Sequence, residues 1–264
     1  MVLLKHFSLL SIVYGLLSIM KAMIFAAGLG TRLKPLTDTM PKALVPLAGK
    51  PLLQWQVEKL RDAGIRDIVV NVHHFPDQII ETVQANNGWG CNIVISDERD
   101  ELLDTGGGLR KAKDLLTNGR TNEPILACNV DILSNIDLHA LMEAYDSATL
   151  GSLVVSERKT QRYLLFDDEA ILRGWANVAT GQVRLAPLSL NKLAFSGMQI
   201  LNPHIFDHMD RVVAEKGDKF SLIDLYLSLC EKMVFKAYIP KNYRMMDVGK
   251  IDQIDAAEVF AQSL

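Results

Sequence analysis

Residues 26–46 read AAGLGTRLKPLTDTMPKALVP, directly after an apolar run at 22–27. The run is short, uncharged and ends in a glycine turn, which predicts a buried strand opening into a tight loop. Gly28 and Gly30 allow that loop to fold close to a ligand, so that the N–H groups of Ala27, Gly28, Leu29, Gly30 and Thr31 can point at anionic oxygens. Arg32 and Lys42 add two full positive charges within the same stretch. The combination suits a polyphosphate. Two familiar glycine-loop patterns do not fit it: no Lys-Ser or Lys-Thr follows a glycine at P-loop spacing, and Leu33 stands where a dinucleotide fingerprint needs its third glycine.

Outward from the loop, apolar residues Leu52, Leu53, Trp55, Val57 and Leu60 make a helical stripe begun by Pro51 and stopped by Gly64. Residues 65–72 are β-branched and read as a parallel strand, 77–85 as a helix and 91–95 as another strand. A helix is expected over 105–116, a buried strand over 124–130 ending at Asp131, and a helix over 137–146. This alternation predicts a three-layer, Rossmann-like α/β fold, with a mostly parallel central sheet, helices on both faces, and ligands at the carboxyl ends of its strands. The second half is less regular. Strands are expected at 152–156, 162–166, 193–200 and 234–239, and helices at 221–232 and 251–262, with a polar stretch between. The Leu222, Leu225, Leu229 and Met233 stripe reads as helical packing.

The chain has 264 residues, 49% of them hydrophobic, enough for one sizeable core. A net charge of −3 without a basic run argues against nucleic acid as a partner, so an anionic ligand must be held by locally placed cations. Cys91, Cys128 and Cys230 lack metal-ligand spacing and read as thiols of a reducing compartment. His73 and His74 are adjacent, so they point to opposite sides of an extended chain, and no third ligand is suitably spaced. Residues 1–19 contain FSLLSIVYGLLSI, an apolar run too short for a stable membrane span. A secretory signal, an interfacial anchor and an extension ahead of Met20 all fit its composition. Cleavage after Ala26 or Ala27 would remove the strand that carries the loop, which favours a cytoplasmic protein with an N-terminal extension at 1–19 and one domain at 20–264.

From Gly28 to Pro46 the sequence resembles the signature G-x-G-T-R-L-x-P-L-T-x-x-x-P-K-A-L-x-P of sugar-1-phosphate nucleotidyltransferases. The resemblance extends over residues 20–264 and is weakest between 157 and 192. It implies nucleotidyl transfer from a nucleoside triphosphate to a sugar 1-phosphate, with Mg²⁺ as cofactor and Arg32 and Lys42 as the catalytic cations. A monomer or small homo-oligomer is expected. Asn129-Val130-Asp131 is similar to the family's N-G-D, and Met246-Asp247-Val248-Gly249 to its W-x-D-V-G, which makes Asp131 and Asp247 the implied metal ligands and Asn129 a sugar contact. Read alone, either aspartate also fits a turn or helix cap.

Leu103-Asp104-Thr105-Gly106-Gly107-Gly108 reads either as a tight turn entering a helix or as a close backbone approach to a base or ribose through Gly106 and Gly107. This form, together with Phe195-Ser196-Gly197 and Leu201-Asn202-Pro203, resembles the N-acetylmuramate 1-phosphate uridylyltransferases of cell-wall recycling, which carry glutamate where Asp104 stands. That subgroup implies UTP as donor and places Ser196 and Gly197 at the sugar. Its lactyl carboxylate calls for a cation, for which Arg158, Lys159, Arg162 and Lys192 are candidates. Guanylyl transfer to mannose 1-phosphate, thymidylyl transfer to glucose 1-phosphate and a noncatalytic nucleotide-sugar-binding role are the alternatives.

Overall fold

Strand β1 (Lys21–Phe25) alternates along its length: Ala22 and Ile24 enter one apolar cluster, Met23 and Phe25 another. A strand with both faces buried lies inside a sheet covered on two sides. The computed structural model describes Gly15, Leu17 and residues 19–264. The expected extension falls largely on residues 1–14, 16 and 18, which lie outside the described residues. Leu17 is fully buried in the same cluster as Ala22 and Ile24, so contact with the core begins before Met20.

The first half continues through the paired strands β2 (Pro46–Leu47) and β3 (Lys50–Pro51), helix α1 (Leu52–Asp62), β4 (Asp67–Val72), α2 (Pro76–Ala85) and β5 (Asn92–Asp97). Helices α3 (Asp104–Lys111) and α4 (Lys113–Thr117) then lead to β6 (Ile125–Asn129), β7 (Ile132–Ser134) and α5 (Leu138–Glu143). The helix expected over 105–116 is thus broken at Ala112. β4 and β6 flank β1 in parallel, and β5 follows on β4. The α1 stripe of Leu52, Leu53, Val57 and Leu60 covers one face, with Ile79 and Val83 of α2 and Leu138 and Leu141 of α5. Leu109, Leu116, Val212 and Leu225 cover the other. Each such side chain, fully buried, stabilises the fold by about 1.5–3 kcal/mol.

The second half contributes β8 (Gly151–Ser156), β9 (Arg162–Phe166), β10 (Leu172–Asn177), β11 (Gln182–Arg184) and the long β12 (Asn191–Leu201). Helices α6 (Met209–Lys216) and α7 (Leu222–Leu229), strands β13 (Phe235–Tyr238) and β14 (Met245–Asp247), and helix α8 (Ile254–Ala261) complete the described chain. The main sheet runs β11-β10-β9-β12-β6-β1-β4-β5, with β8 also joined to β12 and β13 joined to β8. β12 is antiparallel to β6, β8 and β9, so a parallel half is fused to an antiparallel one along this single strand. The expected polar stretch after 166 holds the β10–β11 hairpin, and α6, β7 and β14 are elements that periodicity did not single out.

Two pairings set up the site. Phe25 sits beside Asn129, so the loops after β1 and β6 leave from one carboxyl edge. β14 pairs with β7, Asp247 opposite Ile132, and the Val248 N–H donates to the Asp131 carbonyl at 2.8 Å.

Candidate active site

The loop after β1 turns at Gly30, whose φ of 64° is costly for any residue with a Cβ. A Cβ there would also lie 2.8 Å from Thr37 Cγ2 and 3.0 Å from Lys42 Cβ. The Gly30 carbonyl accepts from the Leu33 N–H at 2.8 Å and from Thr37 Oγ1 at 2.9 Å, closing the loop on itself. Ala27 is buried while Gly28, Leu29, Thr31 and Arg32 are exposed at the edge. The following segment is latched from outside: His74 Nε2 lies 3.2 Å from the Thr37 carbonyl, and Gln78 Nε2 donates to the Thr39 carbonyl at 3.0 Å. His73 Nδ1 meets the Glu98 carbonyl at 2.7 Å, so the two histidines bond to different backbone segments.

Lys42 forms an ion pair with Asp131, both side chains being nearly buried. A Cβ built on Gly249 would lie 2.6 Å from Asp247 Oδ1, 2.9 Å from Arg32 Nη2 and 3.4 Å from Asp131 Oδ2. That one point marks where residues distant in sequence converge, and only glycine leaves it open. The Asp247 carboxyl is held above the usual carboxylate range by burial and by the neighbouring charge of Asp131, against the opposing pull of Lys42 and Arg32. Its Oδ1 is buried and has no hydrogen-bond partner among the described residues. Two adjacent carboxylates, one with an unsatisfied oxygen, match what a hard divalent cation needs from a protein when phosphate oxygens supply its other ligands. Among the described residues no cluster of three or more metal-ligating side chains occurs.

Helix α1 supports this arrangement from behind. Gln56 Nε2 donates to the Ile132 carbonyl at 2.7 Å and Lys59 Nζ to Ser134 Oγ at 3.1 Å, so two side chains one helical turn apart grip β7. Burial brings the Lys59 pKa down to about 8. Neither contact has a sequence signal beyond a polar residue on an otherwise apolar helix face.

On the other side of β6, Gly197 has φ 68°, and a Cβ on it would lie 2.8 Å from Asn129 Nδ2. The register of β12 against β8 shifts between Phe195 and Gln199, and this irregularity brings Gly197 onto Asn129. Ser196 is fully buried, and its hydroxyl lies on the Tyr243 side of the strand. Gly106 and Gly107 are buried too. Both N–H groups donate to the Phe220 carbonyl, at 2.8 and 3.1 Å, and their Cβ positions are filled by Phe220 and by the Asp218 carbonyl. The close backbone approach that these glycines permit is therefore to another segment of the same chain. A cavity of about 470 Å³ lies beyond β8 and β14, lined by Ser156, Glu157, Arg158, Tyr243, Arg244, Met245 and Phe260. Of the four cations expected near the sugar, Arg158 lines it, and Lys159, Arg162 and Lys192 do not.

The sequence profile of the nucleotidyl transferase family matches residues 21–163, the part of the chain that holds the loop, Lys42, Asn129 and Asp131. The chain is 34% identical over 192 residues to N-acetylmuramate alpha-1-phosphate uridylyltransferase of Neisseria meningitidis, covering 72% of this chain and 79% of that one. It is 32% identical over 192 residues to mannose-1-phosphate guanyltransferase of Yarrowia lipolytica, covering 72% of this chain and 52% of that longer protein. In fold it is similar to a putative glucose-1-phosphate thymidylyltransferase from Bacillus anthracis, with a TM-score of 0.78 at 15% identity, covering 93% of this chain and 96% of that one. HddC from Yersinia pseudotuberculosis, complexed with GMP-PN, superposes with a TM-score of 0.71 at 24% identity over 92% of this chain and all of that one. The chain belongs to the nucleotidyl transferase family, and within it to the sugar-1-phosphate nucleotidyltransferases.

Proposed function

We propose that the protein transfers a uridylyl group from UTP to N-acetylmuramate 1-phosphate, releasing pyrophosphate, as a cytoplasmic step in the recovery of cell-wall sugars. The observation that carries the chemistry is the convergence of Arg32, Lys42, Asp131 and Asp247 around Gly249. A binding protein without catalysis has no need of two adjacent carboxylates, one with a buried oxygen that lacks a partner among the described residues, beside two cations.

The sugar phosphate is its own nucleophile. Its second pKa is about 6, so at neutral pH it is largely ionised and requires no general base. The protein's work is to align this oxygen with the α-phosphorus and to spread the charge of the departing pyrophosphate. Arg32, exposed at the loop, meets the phosphates from the solvent side. Lys42, held by Asp131, comes from the core side. The loop N–H groups of residues 27–31 complete the cradle. Asp131 and Asp247 would hold a Mg²⁺ ion, which supplies Lewis-acid stabilisation of the phosphates. Asn129, fixed against Gly197, faces the sugar.

The choice of N-acetylmuramate over mannose is supported by the greater share of the uridylyltransferase relatives that the chain spans, 79% against 52%. Arg158 at the β8 cavity adds a physical reason, since a lactyl carboxylate requires a cation that plain hexoses do not. Guanylyl transfer to mannose 1-phosphate is the second reading, favoured by several guanyltransferases at 31–32% identity. Pyrophosphate release measured for UTP, GTP and dTTP against N-acetylmuramate, mannose and glucose 1-phosphates separates the two. A preference for GTP with mannose 1-phosphate would overturn the first reading and leave the chemistry standing.

A further inference from the structure

Behind the phosphate loop lies a buried relay that the reaction chemistry does not use. The Ala26 N–H donates to Asn71 Oδ1 at 2.7 Å, Asn71 Nδ2 donates to Glu98 Oε1 at 2.7 Å, and the Leu103 N–H donates to Glu98 Oε2 at 3.2 Å. Asn71 is 2% exposed and Glu98 fully buried. Three of the residues sit at the carboxyl ends of neighbouring strands, Ala26 just after β1, Asn71 near the end of β4 and Glu98 just after β5, and Leu103 lies just before α3. The relay therefore joins the loop after β1 to the segment that opens α3.

A carboxylate buried in this way is expensive unless fixed donors satisfy it. Burial pushes the Glu98 carboxyl up, and the Asn71 amide and the Leu103 N–H pull the other way. No ion pair to Glu98 occurs among the described residues, so the arrangement depends on donor geometry rather than on a salt bridge. The backbone of Glu98 is held as well, its N–H donating to the Val72 carbonyl at 2.7 Å. The third glycine of the triplet belongs to the same construction, since a Cβ on Gly108 would lie 2.7 Å from Glu98 Oε1 and 2.9 Å from Asn71 Nδ2. A buried polar chain whose members are all satisfied fixes the spacing of what it joins.

We propose that Asn71 and Glu98 are positioning residues for the nucleoside triphosphate: they tie the phosphate loop at Ala26 to the 103–108 segment, so that triphosphate and base meet surfaces set at one spacing. This inference rests on the proposed function for the loop after β1 and, for residues 103–105, on the family resemblance, since Gly106 and Gly107 are closed by Phe220 and Asp218.

The test exchanges donor and acceptor. In Asn71→Asp two acceptors face each other, and in Glu98→Gln an amide faces either Asn71 Nδ2 or the Leu103 N–H. In the double variant the pairing is restored: Asp at 71 accepts from Ala26 and from the Gln amide at 98, whose oxygen accepts from Leu103. UTP binding by calorimetry in the presence of Mg²⁺, with initial rates for both substrates, is the readout. Each single variant is expected to raise the Kd and KM for UTP by about tenfold, with the sugar 1-phosphate KM within about twofold, and the double variant to return within about threefold of wild type. If an exchange variant does not fold, Asn71→Ser, which removes both amide contacts of residue 71 and leaves the Leu103 bond to Glu98 in place, gives the same reading. Unchanged UTP affinity in the single variants, a parallel rise in both KM values, or a double variant no better than its parents would overturn the relay. Wild-type protein that binds none of UTP, GTP and dTTP would instead overturn the functional reading on which it rests.

Discussion

Residues 21–134 and residues 151–201 are built on opposite plans, and the site lies where they meet. In the first region the strands of the main sheet run parallel, so their carboxyl ends share one edge and successive loops deliver Gly30, Asn71, Glu98, Asn129 and Asp131 to it. In the second, β8, β9, β10 and β12 are joined by antiparallel pairings, so loops leave alternately from both edges and side chains reach the site singly. The family profile ends at residue 163, soon after the antiparallel part begins. Parallel architecture concentrates phosphate chemistry that relatives can share. Antiparallel architecture leaves each sugar contact free to differ.

The largest expected effect tests the shared part. Asp131→Asn and Asp247→Asn should each lower kcat/KM for pyrophosphate release by about a hundredfold or more, since both withdraw charge from the position of the reacting phosphates. Stability should respond differently. Because the folded pKa of Asp247 lies above its unfolded value, its contribution is full below the unfolded pKa and is lost as pH rises through the folded one. At neutral pH without metal, the ionised group costs stability. Asp247→Asn should therefore melt no lower than wild type in chelator, and a clear drop in Tm would show that Oδ1 has a structural partner.

Next in size is Lys42→Met, expected to reduce kcat by about a hundredfold, on the scale of losing one transition-state donor. It also leaves Asp131 buried without its partner, so a loss of about 3 kcal/mol in stability should accompany it. Measuring activity and chemical denaturation on the same sample separates the two losses. Retention of kcat would move the charge stabilisation to Arg32 alone.

The same contrast explains what could be read from the sequence. The loop and its cations were legible because Arg32, Pro41 and Lys42 stand in register with the glycine turn, whereas Asp131 at its strand end, read alone, also fits a turn or helix cap. That Asp247 joins Asp131 was legible only through family resemblance, since it depends on the three-residue pairing of β14 with β7, too short to leave a periodic signal. Gly106 and Gly107 announce a close approach, but their spacing does not say to what, and in the structure the neighbours are Asp218 and Phe220. Ser196 follows from a motif match, whereas its inward direction follows from β12 register. The composition of the apolar run before Met20 fits a secretory signal, an interfacial anchor or an extension, and none of these readings foresaw that Leu17 packs in the core.

The sugar half should show a smaller and selective effect. Arg158→Ala is expected to raise the KM for N-acetylmuramate 1-phosphate by about tenfold, the loss of one charge-assisted contact, while N-acetylglucosamine 1-phosphate, which lacks the carboxylate, changes by less than about twofold. Initial rates with the two sugars at saturating UTP decide it. Equal effects on both would make Arg158 a support for β12, through its 3.0 Å bond to the Phe195 carbonyl, and not a reader of the lactyl group.

The smallest effect is expected furthest from the shared edge. Leu185 and Leu188 are 57% and 44% exposed just after β11, which forms the outer edge of the sheet. An exposed apolar side chain without a packing role contributes little, so Leu185→Ser should change stability by less than about 0.5 kcal/mol and kcat/KM by less than about twofold. Leu185 itself has φ 71°, a conformation that disfavours any side chain, and Leu185→Gly should therefore be neutral or slightly stabilising. Urea denaturation and initial rates for the two variants test both statements. A large loss of activity from Leu185→Ser would bring this hairpin to the substrate and remove the division between a chemical half and a peripheral edge. A loss of stability from Leu185→Gly would show that the strained backbone is held by packing of the leucine side chain, which its exposure argues against.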